Sequence, residues 1–258
     1  MAASAVVQGN ARQYSENQGK IMKIKMSVLA ASIAMAMSAA VMADATQQSP
    51  GGNTNPSSTF QSSRDAIDAM AGFNGNASNA AESFIDQTGD NNNANVLQSG
   101  NQWSRVTQQD DGNLARVRQQ SGTDNESVIS QQDDGNLAKV SQAGYRNDSI
   151  VSQEGHWGHA YNGAHVMQNG DLNDSYILQE GWANRANVNQ QGDQLDSDIL
   201  QDGGFNQAVV SQSGYGHDSY VSQDGFSNRV NHTQSGGWQN FAQTMQNGVG
   251  NVANVTQY

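Results

Sequence analysis

The chain has 258 residues, no cysteine, 12 Lys and Arg against 24 Asp and Glu, and a net charge of −12. Lack of cysteine excludes a disulfide framework and any thiolate-ligated metal, and an acidic balance without a basic cluster argues against nucleic acid as a partner. Leu, Ile, Val and Phe make up only 42 residues, about 16% of the chain, below the roughly 20% under which strongly charged chains are usually disordered.

Residues 1–21 are polar and unpatterned. They precede Met22-Lys-Ile-Lys-Met-Ser, which reads as a start, so the upstream extension is either a misassigned start or an unusual addition. A basic segment from Lys23, an apolar run from Val28 to about Val41 and small residues at Ala43 and Ala45 form a Sec signal peptide over residues 22–43. Cleavage is expected after Ala43, with Ala45 as the second choice. A membrane anchor is the alternative, but the apolar run is shorter than the roughly 20 residues needed to span a bilayer. Removing residues 1–43 takes away four basic residues and one acidic residue and leaves a net charge of −15, which keeps free chains apart. Residues 44–76, rich in Gly, Asn, Ser and Gln, read as a flexible leader, either a secretion address or a spacer.

From residue 77 to 258 the chain repeats. The stretch Ser175–Gln190, SYILQEGWANRANVNQ, sets Ser175, Ile177 and Gln179 on one face of a strand. After a tight turn at Gly181 it sets Asn184, Ala186, Val188 and Gln190 on one face of a second strand. Copies begin at Ser83, Ser104, Ser127, Ser149, Ser175, Ser197, Ser219 and Ala242, with a basic spacing of 22 residues. Such a period predicts an all-β solenoid of eight stacked strand-turn-strand coils, passing to cross-β on assembly. A single coil buries too little to offset the entropy of ordering it, so neighbouring coils must supply the rest.

Stacking in register brings like residues together. One ladder is expected through Gln87, Gln108, Gln131, Gln153, Gln179, Gln201, Gln223 and Gln246, and a second through Gln98, Gln119, Gln142, Gln168, Gln190, Gln212, Gln234 and Gln257. Asn92, Asn113, Asn136, Asn162, Asn184, Asn206, Asn228 and Asn251 join them as inward-facing amides. The final copy keeps the pattern to Gln257 without a capping repeat. An open strand edge of that kind is a template for another chain, and non-closing contacts give filaments.

Irregularities are local. The turn Gly is replaced by Asp110 and Asp133, with Gly112 and Gly135 two residues on. Four residues are inserted in GHWGHAYNG. The spacing is one residue short near Trp103 and one residue long near Gly122 and Trp238, where bulges are expected. His156, His159 and His165 are placed in the insertion, as an exposed polar turn or a transition-metal site. Tyr145, Trp182, Phe205, Tyr215, Phe226 and Trp238 follow the turn Gly, as isolated surface aromatics or as ladders along the two edges. Asp148, Asp174, Asp196 and Asp218 recur at one repeat position and read as a column on a turn rather than converging carboxylates. Calcium-binding nonapeptides, Thr arrays, nucleophile-base pairs and cofactor motifs are not found. So thin a coil leaves no pocket, so no catalysis is expected.

The spacing Gln201-x-Gly203-x-x-Asn206-x-Ala208-x3-Gln212 and its sister copies resemble the curlins, the subunits of curli amyloid fibres. The curlin pattern is Ser-x5-Gln-x-Gly-x-Gly-Asn-x-Ala-x3-Gln; here Ser lies four rather than six residues before the first Gln. The resemblance also takes in the order of signal peptide, Gly/Asn-rich leader and repeats. It implies an extracellular fibre of the biofilm matrix, used in adhesion and aggregation. The implied partners are other copies of the chain, a minor nucleating curlin, an outer-membrane secretion pore and a periplasmic chaperone. The C-terminal Gln257-Tyr258 is similar to the major subunit. The family further implies that Asp110 and Asp133 slow assembly. Three other readings stay open on the residues alone: the minor nucleator, a monomeric β-solenoid adhesin, and a disordered Gln/Asn-rich spacer, which the strict register disfavours.

Overall fold

In a computed structural model, residues 81–155, 161–237 and 239–258 are described. The expected signal peptide and leader, His156, His159 and Trp238 lie outside them. Every repeat half is a strand. The first four coils are β1 (Glu82–Thr88) and β2 (Asn93–Gln98), β3 (Gln102–Gln109) and β4 (Leu114–Gln119), β5 (Asn125–Gln132) and β6 (Leu137–Ala143), and β7 (Asp148–Glu154) and β8 (Gly163–Asn169). The last four are β9 (Asp174–Trp182) and β10 (Arg185–Asp193), β11 (Asp196–Gly204) and β12 (Gln207–Tyr215), β13 (Asp218–Phe226) and β14 (Arg229–Gly236), and β15 (Phe241–Val249) and β16 (Val252–Gln257).

Odd strands form one eight-stranded sheet and even strands the other, each in coil order. All pairings are parallel and place like on like: Gln179 opposite Gln201, Ser175 opposite Ser197, Val188 opposite Val210. The register follows from the side-chain period of two, because a one-residue slip would turn the buried set outward. In the first sheet Ser, Val or Ile, and Gln face inward; in the second Ala, Val and Gln do. Val106, Ile129, Val151, Ile177, Ile199 and Val221 meet Val117, Val140, Val166, Val188 and Val210 in one continuous apolar core.

The turns are corners with two left-handed residues two positions apart, not a single tight turn at Gly181. Gly181 and Ala183 have φ of 99° and 57°, and Gly203 and Phe205 of 99° and 56°. The first position needs Gly because coils pack closely there. A Cβ on Gly203 would run into the carbonyl oxygen of Gly225 in the next coil. At the two exceptions Asp110 and Asp133 have φ of 65° and 64°, inside the left-handed well that Asp tolerates. There Gly112 and Gly135 take the second position, at 71° and 75°.

The spacing errors near Trp103 and Gly122 are absorbed in corners and not as strand bulges. The extra residue near Gly122 adds a third left-handed residue, with Ser121, Gly122 and Asp124 at 56°, 115° and 60°, while Gln108 still pairs with Gln131. The missing residue near Trp103 is offset by a longer side chain: Gln102 fills the position that Asn125 and Asn147 hold in the coils above.

Candidate functional site: amide ladders and solenoid ends

The inward Gln at the end of each strand sits between its copies in the neighbouring coils. Along the first sheet each Gln Nε2 donates to Oε1 of the next, from Gln87 to Gln246, at 2.6–3.0 Å. Along the second the chain from Gln98 to Gln257 runs at 2.7–3.1 Å. The same Nε2 also crosses the core to a backbone carbonyl of the other sheet: Gln179 to Gly163 at 3.2 Å and Gln190 to Asp174 at 2.7 Å. Each amide therefore ties its coil to the next and its own two sheets together, satisfying groups whose burial would otherwise be costly.

The Asn column works differently. Its side chains clamp corners instead of running amide to amide, except at the last pair, where Asn251 Nδ2 reaches Asn228 Oδ1 at 3.1 Å. Asn184 Oδ1 accepts the backbone N–H of Asn206 at 3.1 Å, and Asn184 Nδ2 donates to the Gly203 carbonyl at 3.1 Å. Asn206 repeats this with Asn228 and Gly225. Asn92 and Asn113 donate likewise to the carbonyls of Asp110 and Asp133, so the substituted corners keep the clamp. Among the described residues the column breaks once, at Asn136, whose buried Oδ1 has no partner, in the coil before the four-residue insertion.

The opposite corner carries an equivalent column that the Asn92-to-Asn251 set omits: Gln102, Asn125, Asn147, Asn173, Leu195, His217 and Asn240. Asn147 Nδ2 donates to the Gly170 carbonyl at 2.7 Å, and Asn173 Nδ2 to Gly192 at 2.7 Å. The equivalence of the two repeat halves is the signal that would have found it. Leu195 cannot clamp, and His217 does so in part: its Nδ1 accepts the Asn240 N–H and its Nε2 contacts the Ser213 carbonyl, both at 3.1 Å.

One core position has changed chemistry. His232 stands where the neighbouring coils have Val210 and Val255, is fully buried, and joins the sheets. Its Nδ1 lies 2.8 Å from Ser219 Oγ and its Nε2 2.7 Å from Thr244 Oγ1. Ser104, Ser127, Ser149, Ser175 and Ser197 share the position of Ser219 but have buried hydroxyls without partners. Burial pushes the His232 imidazole down to about 4, because a charge there would be desolvated.

Several expected groupings are placed otherwise. His165 is an exposed residue of β8, paired with Lys139 and Asn187 and outside the insertion. The aromatics near Trp182 form an edge-to-face cluster: Trp182 lies 4.8 Å from Phe205 and 5.9 Å from Phe226 at 67° and 70°, packed around Gly204. At the other edge the Arg146 guanidinium covers Tyr145 at 5.0 Å. Asp148, Asp174, Asp196 and Asp218 are the first residues of β7, β9, β11 and β13, hence on the outer face of the first sheet and not on a turn. Although no pocket was expected, the surface has an open groove of about 610 Å³ beside Leu114, Leu137, Tyr161, Gly163, Arg185 and Phe205.

Among the described residues β1 and β2 are paired on one side only, as are β15 and β16. The ladders reach both ends with one polarity. Gln246 and Gln257 Nε2 point along the axis at one end, and Gln87 and Gln98 Oε1 at the other.

A parallel β-solenoid closed on itself by two axial amide ladders defines a structural repeat protein. The curlin associated repeat model matches residues 162–192 and 196–225, the segment where the register is most regular. Over those residues the chain is similar to the curlin repeat. No curated protein matches its sequence.

Proposed function

We propose that the chain is a secreted structural subunit that self-assembles into extracellular curli-type amyloid fibres of the biofilm matrix, used in adhesion and aggregation. The observation that carries this reading is the pair of open ends. Gln246 and Gln257 offer donors where Gln87 and Gln98 of a second copy offer acceptors, so β15 can pair with β1 and β16 with β2 of that copy in the register used between coils. Such a contact is head-to-tail and does not close. Amides, Gly corners and the curlin repeat favour this role over catalysis. A minor curlin nucleator, an outer-membrane pore and a periplasmic chaperone are the expected partners, as for other curlins, with Sec export through the periplasm.

The test is dilution of residues 44–258 from denaturant, followed by thioflavin fluorescence and circular dichroism. A lag abolished by preformed fibres is the expected result. A stable monomer with immediate β signal and no response to seeds would overturn it in favour of a monomeric solenoid adhesin.

Asp110 and Asp133 are proposed to modulate assembly. Exchanging both for Gly lets their corners adopt the wider φ seen at Gly181 and Gly203, and removes two carboxylates. The double variant is expected to polymerise with a shorter lag than the parent in the same assay; an unchanged or longer lag would sink the idea.

A further inference from the structure

The open groove lies on the outer face of the second sheet and follows one register column. Leu114, Leu137, Gly163, Arg185 and Gln207 succeed one another there in consecutive coils, spanning about 19 Å along the axis at the usual strand spacing. Tyr161 and Phe205 also line it, with 64% and 51% of their surface exposed. Neither ring hangs loose: a Cβ on Gly135 would run into the Tyr161 ring, and Phe205 lies 4.8 Å from Trp182.

Gly163 keeps the groove open. Its φ is not left-handed, and a Cβ there would meet nothing within 4 Å. Neither corner geometry nor coil packing therefore calls for glycine, whereas a longer side chain would stand in the groove between Leu137 and Arg185.

A cationic column runs beside it. Arg116, Lys139 and His165 are register partners two residues further along β4, β6 and β8, and alternation turns them to the same outer face. Arg116 and His165 are exposed and Lys139 is half-buried. Among the described residues Arg116, Lys139 and Arg185 make no ion pair. Like charges in register destabilise a sheet, so this column of an acidic chain is left wanting an anion from outside.

We propose that this face binds an extended acidic polysaccharide, a β-linked chain of uronate type, laid along the solenoid axis. Apolar faces of the sugar rings pack on Tyr161, Phe205 and Leu137, and carboxylates meet Arg185 in the groove and Arg116 and Lys139 beside it. Largely apolar walls with a few placed charges are what a ligand site requires, and a guanidinium takes a carboxylate through two parallel hydrogen bonds. One sugar of such a chain is about as long as one coil step, so its carboxylates recur in step with the column. Nucleic acid fits less well. A duplex carries one charge per roughly 1.7 Å, far denser than the cations here, and the acidic remainder of the protein repels it. The groove lies within one copy, so the inference stands for a fibre and for a monomeric solenoid alike.

The test titrates a labelled mannuronate hexamer with the assembled mature chain at about 20 mM salt, read by co-sedimentation, or by anisotropy if the chain stays soluble. Cellohexaose, neutral and likewise β-linked, and a single-stranded hexanucleotide are the competing ligands. One variant carries Gly163→Leu, the other Arg116→Gln with Lys139→Gln. Saturable binding of the mannuronate is expected, weakened about tenfold or more in each variant and for cellohexaose, with circular dichroism and seeded growth unchanged. Should one variant lose its β signal, the other decides. No binding to the wild type, or equal binding of cellohexaose, would overturn the inference. Undiminished binding by Gly163→Leu would remove the groove from it, and tighter binding of the hexanucleotide would assign the face to nucleic acid instead.

Discussion

Replacing Gln179 by Leu is expected to destabilise the assembled solenoid by about 3 kcal/mol or more. Gln179 is fully buried in the fifth coil. It accepts from Gln153 at 2.8 Å and donates to Gln201 at 2.8 Å and to the Gly163 carbonyl at 3.2 Å. Leucine fills a similar volume but offers neither donor nor acceptor. Gln153 loses its axial acceptor, and Gln201 Oε1 and the Gly163 carbonyl lose a donor, in a core with no water to replace them. The stacked apolar residues do not compensate, since Ile177 and Val188 are already packed. If the chain assembles as proposed above and folds as it does so, about 3 kcal/mol raises the residual soluble concentration at equilibrium by roughly 100-fold, which sedimentation of mature fibres measures. The same exchange at Gln257, which has a ladder neighbour on one side only within the chain, should cost less before docking and act chiefly on elongation. Equal effects at the two positions on both readouts would mean that the ladder is not a stabilising element.

Acidification is expected to loosen the last two coils through His232. Its folded value is lowered, to about 4 from 6.5, so the fold favours the neutral ring. Above pH 6.5 both folded and unfolded forms are neutral and the residue contributes no pH dependence. Between 6.5 and 4 the unfolded chain binds a proton that the folded chain does not, and stability falls; below about 4 the full loss is reached. The shift corresponds to at most about 3 kcal/mol, and screening near an end of the solenoid brings the expected loss to about 2 kcal/mol. Protonation would also make both ring nitrogens donors, forcing the Ser219 and Thr244 hydroxyls to act as acceptors. The carboxyl groups of Asp174 and Glu180 respond in the opposite sense. Desolvation, with Asp198 and with Glu154 and Asp202 respectively, raises them, so their protonation on acidification favours the fold. A comparison of the wild type with His232→Val cancels that contribution. From pH 7 to 3.5 the soluble concentration of the wild type should rise about 30-fold relative to the variant; parallel pH curves would remove His232 as an acid-sensitive element.

Much of this architecture is legible in the repeat. The period fixes the number of coils, alternation fixes which residues face inward, and identity at intervals of 22 fixes the register, because amides and β-branched residues stack best on their own kind. Gln at the strand ends was therefore assignable to ladders from spacing alone. Asn was not. Its shorter side chain chiefly reaches backbone groups of the adjacent corner, with the next amide met only at some coils, as by Asn147 and Asn251, and that depends on where the chain bends. Gln102 shows the same dependence: in sequence it is a stray Gln, and only a corner one residue short turns it into the equivalent of Asn125.

Histidine was the least readable residue. Proximity to the insertion grouped His165 with His156 and His159, although its place between Ala164 and Val166 already marked it as outward-facing. His232 lies on an inward repeat position, yet its burial becomes meaningful only once Ser219 and Thr244 arrive from the other sheet. The column Asp148, Asp174, Asp196 and Asp218 was visible, but not its place at the strand starts of the first sheet, because alternation gives side and not sheet.

The sequence by itself determined the coil, its register and its buried set, since a fixed period of two within a fixed period of 22 leaves one way to bury the apolar and amide groups. Only the tertiary structure decided how corners absorb irregular spacing, which carbonyls the Asn residues clamp, and which hydroxyls meet His232 across the core. Those depend on distances across the core and between coils, which no single strand contains.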